Sequence, residues 1–230
     1  MSRRTLIIAV AAAVVAAGAL AAALALTTGG SKKPAAALGA ATVAQMLNGI
    51  PQQGTTLGRA DAPVTLVEFA DPQCPYCGEW AKRALPVIVS RYVRTGKVQI
   101  VFNGLTFVGS DSEKALRAAL AAGRQHRFWN VIELLYQNQG TENTGWVSDS
   151  FLRKVGASVP GLDVQRMLRE SSQGSVTTQI AQAAAVAQQA GVNATPTFAV
   201  GKTGGAMQLV QITSFDASGL APSLDSALAS

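Results

Sequence analysis

The chain has 230 residues and a mass of 23.7 kDa, room for one domain with an insertion. Hydrophobic residues make up 48% and charged residues 14%, which excludes a disordered or collagen-like chain and a dedicated nucleic-acid-binding arm. The net charge is +6, but four of the 19 cations (Arg3, Arg4, Lys32 and Lys33) flank an N-terminal apolar segment. The remaining 15 stand against 13 acids, so the basic balance belongs to a membrane-flanking stretch and not to a polyanion-binding surface. Two cysteines are too few for a disulfide scaffold, and one histidine makes metalloenzyme chemistry hard to staff.

Leu6 to Leu26 is a run of 21 uncharged residues. As a helix it would span about 31 Å, the thickness of a bilayer core. Arg3 and Arg4 before it keep the N-terminus cytoplasmic and send the rest across. The run exceeds the apolar region of a secretory signal, so residues 1–26 read as an uncleaved transmembrane anchor. Ala23-Leu24-Ala25 would suit a signal peptidase and keeps secretion after cleavage as the alternative. Residues 27–50 are small and polar and read as a flexible linker, with one short helix over 41–49. The domain after it faces an oxidising, extracytoplasmic compartment.

Val64 to Ala70 is an apolar run bounded by Pro63 and Asp71-Pro72, the pattern of a buried central strand. Cys77 to Thr95 has helical spacing at Trp80, Ala84, Leu85, Ile88 and Tyr92, with a kink expected at Pro86. Val98 to Asn103 is a second strand, and strand–helix–strand order predicts a parallel unit. Ser110-Asp111-Ser112-Glu113 has capping-box spacing and opens a helix to Gly123. Further helices are expected over 125–137, 148–155, 162–170 and 175–190, the last closed by Gly191. Thr197 to Val200 and Met207 to Ile212 read as an antiparallel pair around a KTGG turn, and a C-terminal helix over 215–229 ends the chain. The fold class is α/β: residues 51–110 and 192–230 form one domain, and 111–191 form an all-helical insertion.

Cys74-Pro75-Tyr76-Cys77 follows the buried strand and opens the first helix. A cysteine at a helix N-terminus meets unpaired N–H groups and the positive end of the dipole, which stabilise a thiolate. Pro75 suits the first helical position, where its missing N–H is not needed. Cys77 lies one turn on, in reach of a mixed disulfide at Cys74. A passive disulfide is the plainer reading, but so short a loop constrains the unfolded chain little. A zinc site would need two more ligands, and only His126 is of the right type. His126 otherwise reads as an exposed or capping residue, Trp80 as packing, and Lys82 and Arg83 as a solvated face.

The stretch Thr56-Leu57-Gly58, Asp61 to Asp71 and Cys74-Pro75-Tyr76-Cys77 resembles the opening of the DsbA-type thiol–disulfide oxidoreductases. Gly191 to Phe198 (GVNATPTF) is similar to the segment that carries their cis-proline, and the helical insertion between the two is also a feature of that branch. The resemblance covers most of residues 55–225. It implies a thioredoxin-like fold, with Cys74 as nucleophile and Cys77 as buried resolving thiol. It further implies a cis bond between Thr195 and Pro196. The Thr195 backbone, Pro196, Pro75 and Tyr76 would then lie against an extended client.

Related enzymes have a buried acid where Glu68 stands, helping to move protons. The residue pattern agrees, because Glu68 shares a strand face with Val64 and Leu66 and burial raises a carboxyl pKa. Tyr76 stands where such oxidases often carry histidine; it brings no positive charge to Cys74, so a milder oxidant is expected. The implied function is disulfide exchange with exported proteins that bear free thiols, mainly as an oxidase, by a monomer re-oxidised by a quinone-linked membrane protein. No cofactor is implied beyond the redox-active Cys74–Cys77 disulfide. The alternatives are a reductase or isomerase on the same scaffold and a thioredoxin-like copper-binding module.

Overall fold

The structure is a computed structural model and describes residues 35–230. The expected anchor over 1–26 and the start of the linker lie outside the described residues. Among the described residues no helix is long and apolar enough to cross a membrane.

The first element is α1 (Ala40–Leu47), with Val43 and Leu47 buried. The hairpin β1 (Gln52–Gln53) and β2 (Thr56–Leu57) comes next, then β3 (Val64–Ala70). The helix α2 (Pro75–Arg83) leads into α3 (Leu85–Ile88), a π-helical turn over Val89–Val93, and β4 (Val98–Gly104). The insertion consists of α4 (Ser110–Gly123), α5 (Phe128–Gln137), α6 (Asp149–Ala157), α7 (Val164–Ser171) and α8 (Gly174–Gln189). β5 (Thr197–Lys202), β6 (Gln208–Val210) and α9 (Ala221–Ala229) close the chain.

The sheet order is β1-β2-β4-β3-β5-β6, with β3 central. β3 and β4 run parallel, as the strand–helix–strand order predicts, and β5 pairs antiparallel with β3 and β6. Side chains alternate across each strand. Val64, Leu66, Ala70, Phe198 and Val200 therefore enter the main core, which also holds Trp80 of α2 and Phe128, Trp129 and Tyr136 of α5. Phe69 and Ala199 face the other way, into a smaller core with Leu105, Ala187 of α8 and Val192.

Several expectations shift for physical reasons. The linker expected over 27–50 ends early: Ala37, Val43, Leu47 and Ile50 are buried in the main core, and the Ala37 N–H donates to Ser158 Oγ at 2.8 Å. The helix expected over 77–95 breaks at Ala84. Pro86 offers no N–H to the carbonyl of Lys82, and the chain re-enters helix as α3. A π turn then carries it on, with the Arg94 N–H on the Val89 carbonyl at 2.8 Å. The capping box is not made: α4 starts at Ser110 itself, capped by the Gly109 carbonyl, while Glu113 pairs with Arg117. Ser112 turns inward instead, toward Asp71. The C-terminal helix begins at Ala221, after a 3-10 turn over Ala217–Gly219 whose cap is Asp216. The β1–β2 hairpin leaves no signal in the sequence, since two-residue strands carry no periodicity.

Candidate active site

Cys74 is the N-cap residue of α2, and Pro75 occupies the first helical position. The dipeptide is exposed, Tyr76 at 61%, and Tyr76 stacks on Phe215 with centroids 5.4 Å apart. Cys74 is more covered than a surface nucleophile would be, at 5% exposure, and Cys77 behind it is fully buried. Both are free thiols. The Thr195–Pro196 bond is cis, and the Cys74 thiol donates to the Thr195 carbonyl at 3.2 Å. Residues more than a hundred positions apart thus meet at one sulfur, as the resemblance implied.

The two thiols are driven apart electrostatically. Cys74 is held down to about 6, first by a hydrogen bond from the Cys77 thiol. Hydrogen bonds to the thiolate from the Thr195 side chain and from the backbone of Cys77 and Tyr76 add to this, against partial burial. Burial pushes Cys77 well above the ordinary thiol range, and the Cys74 thiolate beside it pushes the same way. Such a pair keeps one thiolate ready and one proton in store.

Glu68 is 1% exposed, and burial alone raises its carboxyl to about 8. Neither of its oxygens has a hydrogen-bond partner. It is therefore mostly protonated at neutral pH, and its charge when ionised adds to the rise of the Cys77 thiol. The expected strand face is the observed one.

A second group of residues fixes the loop that carries Cys74. Asp71, fully buried, accepts from the Gln73 N–H at 2.8 Å, the Ser112 hydroxyl at 2.6 Å and the Val108 N–H at 3.0 Å. The Gln73 side chain reaches Ser112, Asn143 and the Trp146 indole. Gln139 Nε2 donates to the carbonyls of Pro72 and Cys74, both at 3.0 Å. A side chain on Gly78 would overlap Gln139 Oε1, so glycine permits this approach. Tyr136 donates to the Asp71 carbonyl at 3.3 Å.

None of these supporting residues stands out in the sequence, nor does Phe215. Most lie in the insertion, and only folding brings them to the loop. One signal is present: Glu133 is a lone charge inside the apolar run FWNVIELLY, and it is buried. His126 is exposed, with Nδ1 2.9 Å from the Gln52 carbonyl, and takes no part in this chemistry. Trp80 packs on Phe198 at 4.9 Å, as expected of a core residue. Lys82 and Arg83 are exposed.

Residues 51–208 match the sequence profile of the family described as Thioredoxin. The chain is 31% identical to a probable disulfide bond formation protein D of Bacillus cereus, over 61% of this chain and 67% of that one. It is 27% identical to disulfide bond formation protein D of Bacillus subtilis, over 63% of this chain and 66% of that one. The chain therefore spans about two thirds of the length of these relatives. The crystal structure of oxidised BdbD from B. subtilis superimposes with a TM-score of 0.67 at 24% identity, covering 79% of this chain and 98% of that chain. A thioredoxin-like oxidoreductase from Silicibacter pomeroyi gives a TM-score of 0.59 at 31% identity, covering 76% of this chain and 92% of that chain. The chain belongs to the thioredoxin family, within its DsbA-type branch of protein disulfide oxidoreductases.

Proposed function

We propose that this chain forms disulfides in exported proteins, with Cys74–Cys77 as its redox-active pair. The observation that supports this best is the split between the thiols, Cys74 at about 6 and Cys77 far above. Stabilising the Cys74 thiolate favours the reduced form of the catalyst, which makes its disulfide a better oxidant. In this reading a client thiolate attacks Cys74, and Cys77 leaves with a proton from Glu68. A second client thiol then releases Cys74. Thr195 and Pro196 border the client beside Cys74, and Pro75 and Tyr76 form the exposed wall with Phe215. A quinone-linked membrane protein restores the disulfide, and the catalyst acts as a monomer anchored by its N-terminal segment. Tyr76 carries no positive charge toward Cys74, which favours a mild oxidant and keeps reductase or isomerase chemistry as the second reading.

The test is a non-reducing gel of membranes expressing single-cysteine variants. Cys77→Ala is expected to accumulate reducible adducts with exported clients, and Cys74→Ala almost none. Equal adducts from both would defeat the assignment of Cys74 as nucleophile. No adduct from either, with tight copper binding by the reduced protein, would favour the binding-module reading. The equilibrium of the pair with a glutathione buffer decides between oxidase and reductase.

A further inference from the structure

Behind Cys77 the core holds a second acid that the steps above do not use. Glu68 stands in register between Phe102 of β4 and Phe198 of β5, so the three share one sheet face. Phe198 packs against Trp80 of α2 at 4.9 Å. Phe102 packs against Phe128 and Trp129 of α5 at 5.1 and 6.0 Å. α2 and α5 therefore pack on the two aromatic residues that flank Glu68 in the sheet. On α5, Glu133 lies four residues after Trp129 and three before Tyr136, on the same buried stripe, and is 1% exposed. The buried side-chain atoms without a hydrogen-bond partner include both Glu68 oxygens, Glu133 Oε2 on α5 and Trp80 Nε1 on α2. Buried polar atoms are nearly always paired, so each of these calls for a chemical reason.

The charges around Glu133 come from each neighbouring element. Glu68 from β3 opposes its ionisation, and Lys82 from α2 favours it weakly against the dominant effect of burial. Tyr136, on the same helix, feels Cys77, Glu68, Glu133 and Asp71. Two carboxyls so placed do not both ionise, and the one that keeps its proton is a donor.

We propose that Glu133 is a positioning residue for Glu68: it stays protonated and donates its hydrogen bond to Glu68 at the moment Glu68 gives a proton to Cys77. This rests on the oxidoreductase reading of the cysteine pair. When a client thiolate attacks Cys74, the client–Cys74 bond forms, the Cys74–Cys77 bond breaks, and the electron pair leaves on Cys77. Cys77 takes the Glu68 proton. Glu68 is then a buried anion, and the Glu133 O–H spreads its charge over two carboxyls. The second client thiol gives up its proton, which restores Glu68, and displaces Cys74 as a thiolate. The client has lost two electrons and two protons; one proton ends on Cys77 and the other in solvent.

Full-length protein carrying Glu133→Gln or Glu133→Leu tests this. The infrared absorption of protonated carboxyl groups is followed against pH in the reduced protein. Oxidation of a dithiol peptide is followed by rapid mixing at neutral pH. The Glu68 titration near pH 8 is expected to move up by about one unit or more in the Leu variant, and peptide oxidation to slow about tenfold. The Gln variant keeps an N–H donor and is expected to stay within about threefold of wild type. The Cys74 titration near 6 is expected to be the same in all three. Glu133→Met supplies a second donor-free variant should Leu not fold. Unchanged titration and rate in a donor-free variant would overturn the proposal, and so would equal losses in the Gln and Leu variants. If wild type fails to oxidise the peptide while the titration still moves, the oxidoreductase reading fails and the Glu68–Glu133 pair stands.

Discussion

Cys74 and Cys77 are one helical turn apart, yet their thiols are pushed in opposite directions, and the larger influence on Cys74 is Cys77 itself. Cys77→Ala removes that hydrogen bond, so the remaining thiol is expected to titrate clearly above 6, as thiolate absorbance would show. A value unchanged from wild type would assign the effect to the helix N-terminus instead. The same shift has a stability consequence. The folded pKa of Cys74 lies below its unfolded value of 9.0. Reduced protein therefore gains stability as pH rises from about 6 toward 9, and loses it as pH falls through 6. Glu68 has the opposite sign, because its folded pKa of about 8 lies above an unfolded 4.5. Its contribution is present below 4.5 and is lost as pH rises through 8. Glu68→Gln is expected to remove that loss and to leave the protein more stable than wild type at pH 8, by about 1–4 kcal/mol. Denaturant melts of both proteins between pH 4 and 9 check this, and parallel pH profiles would show that Glu68 is not buried as an acid.

At the next scale, the N-terminus of α2 is held by an element from outside its own domain. Gln139, just past α5, bonds the Pro72 and Cys74 carbonyls. Gln139→Ala is expected to cost about 1–3 kcal/mol, since it strips a donor from two carbonyls at a covered site. Gly78→Ala is expected to cost a similar amount by pushing that amide away, and the double variant less than the two together. Additive costs would show that the contact is not the reason for the glycine. This clamp is not legible in the sequence, whereas Cys74, Cys77 and Glu68 are, because they sit in motifs whose meaning is local: a turn into a helix and an alternating strand. The cis Thr195–Pro196 bond is implied by the family resemblance alone, since a proline before a strand is by itself equally a trans turn. Gln139, Asn143 and Asp71 take their meaning from partners as many as 70 residues away, and nothing in their spacing signals it. Helices of the insertion are legible by period, but the π turn and the unused capping box are not, because each depends on a tertiary contact.

For the molecule as a whole, the folded unit starts earlier than composition suggests. Small residues from Ala35 onward read as linker, yet Ala37, Val43, Leu47 and Ile50 are buried. The Leu38 and Asn138 side-chain and backbone groups also bond across 100 residues. An Ala-rich segment hides its packing, because alanine gives little contrast between core and solvent faces. Protein beginning at Pro51 is expected to be less stable than protein beginning at Ala35 by several kcal/mol. Burying each Leu or Val is worth about 1.5–3 kcal/mol, and Leu47→Ala alone is expected to cost about 2–5 kcal/mol. Chemical denaturation of the two lengths decides it; equal midpoints would return these residues to the linker.

The π turn at Val89–Val93 bears on how chains of this shape can differ in length. A helix that closes over five residues contains one more than an α-helix needs. Here the surplus is absorbed so that both Tyr92 and Val93 stay buried, with Tyr92 Oη on Asp225 at 2.8 Å, while Ser90 and Arg91 face solvent. Deleting Ser90 would close the turn to α and rotate the residues before it by about 100° against those after it. Either the Tyr92–Asp225 tie to α9 or the seat of Ile88 in the core would then be lost. The turn is thus an insertion without a loop: a relative shorter by one residue here would align with no visible gap in its helices, and the difference would surface only as a changed grip between this helix and the C-terminus.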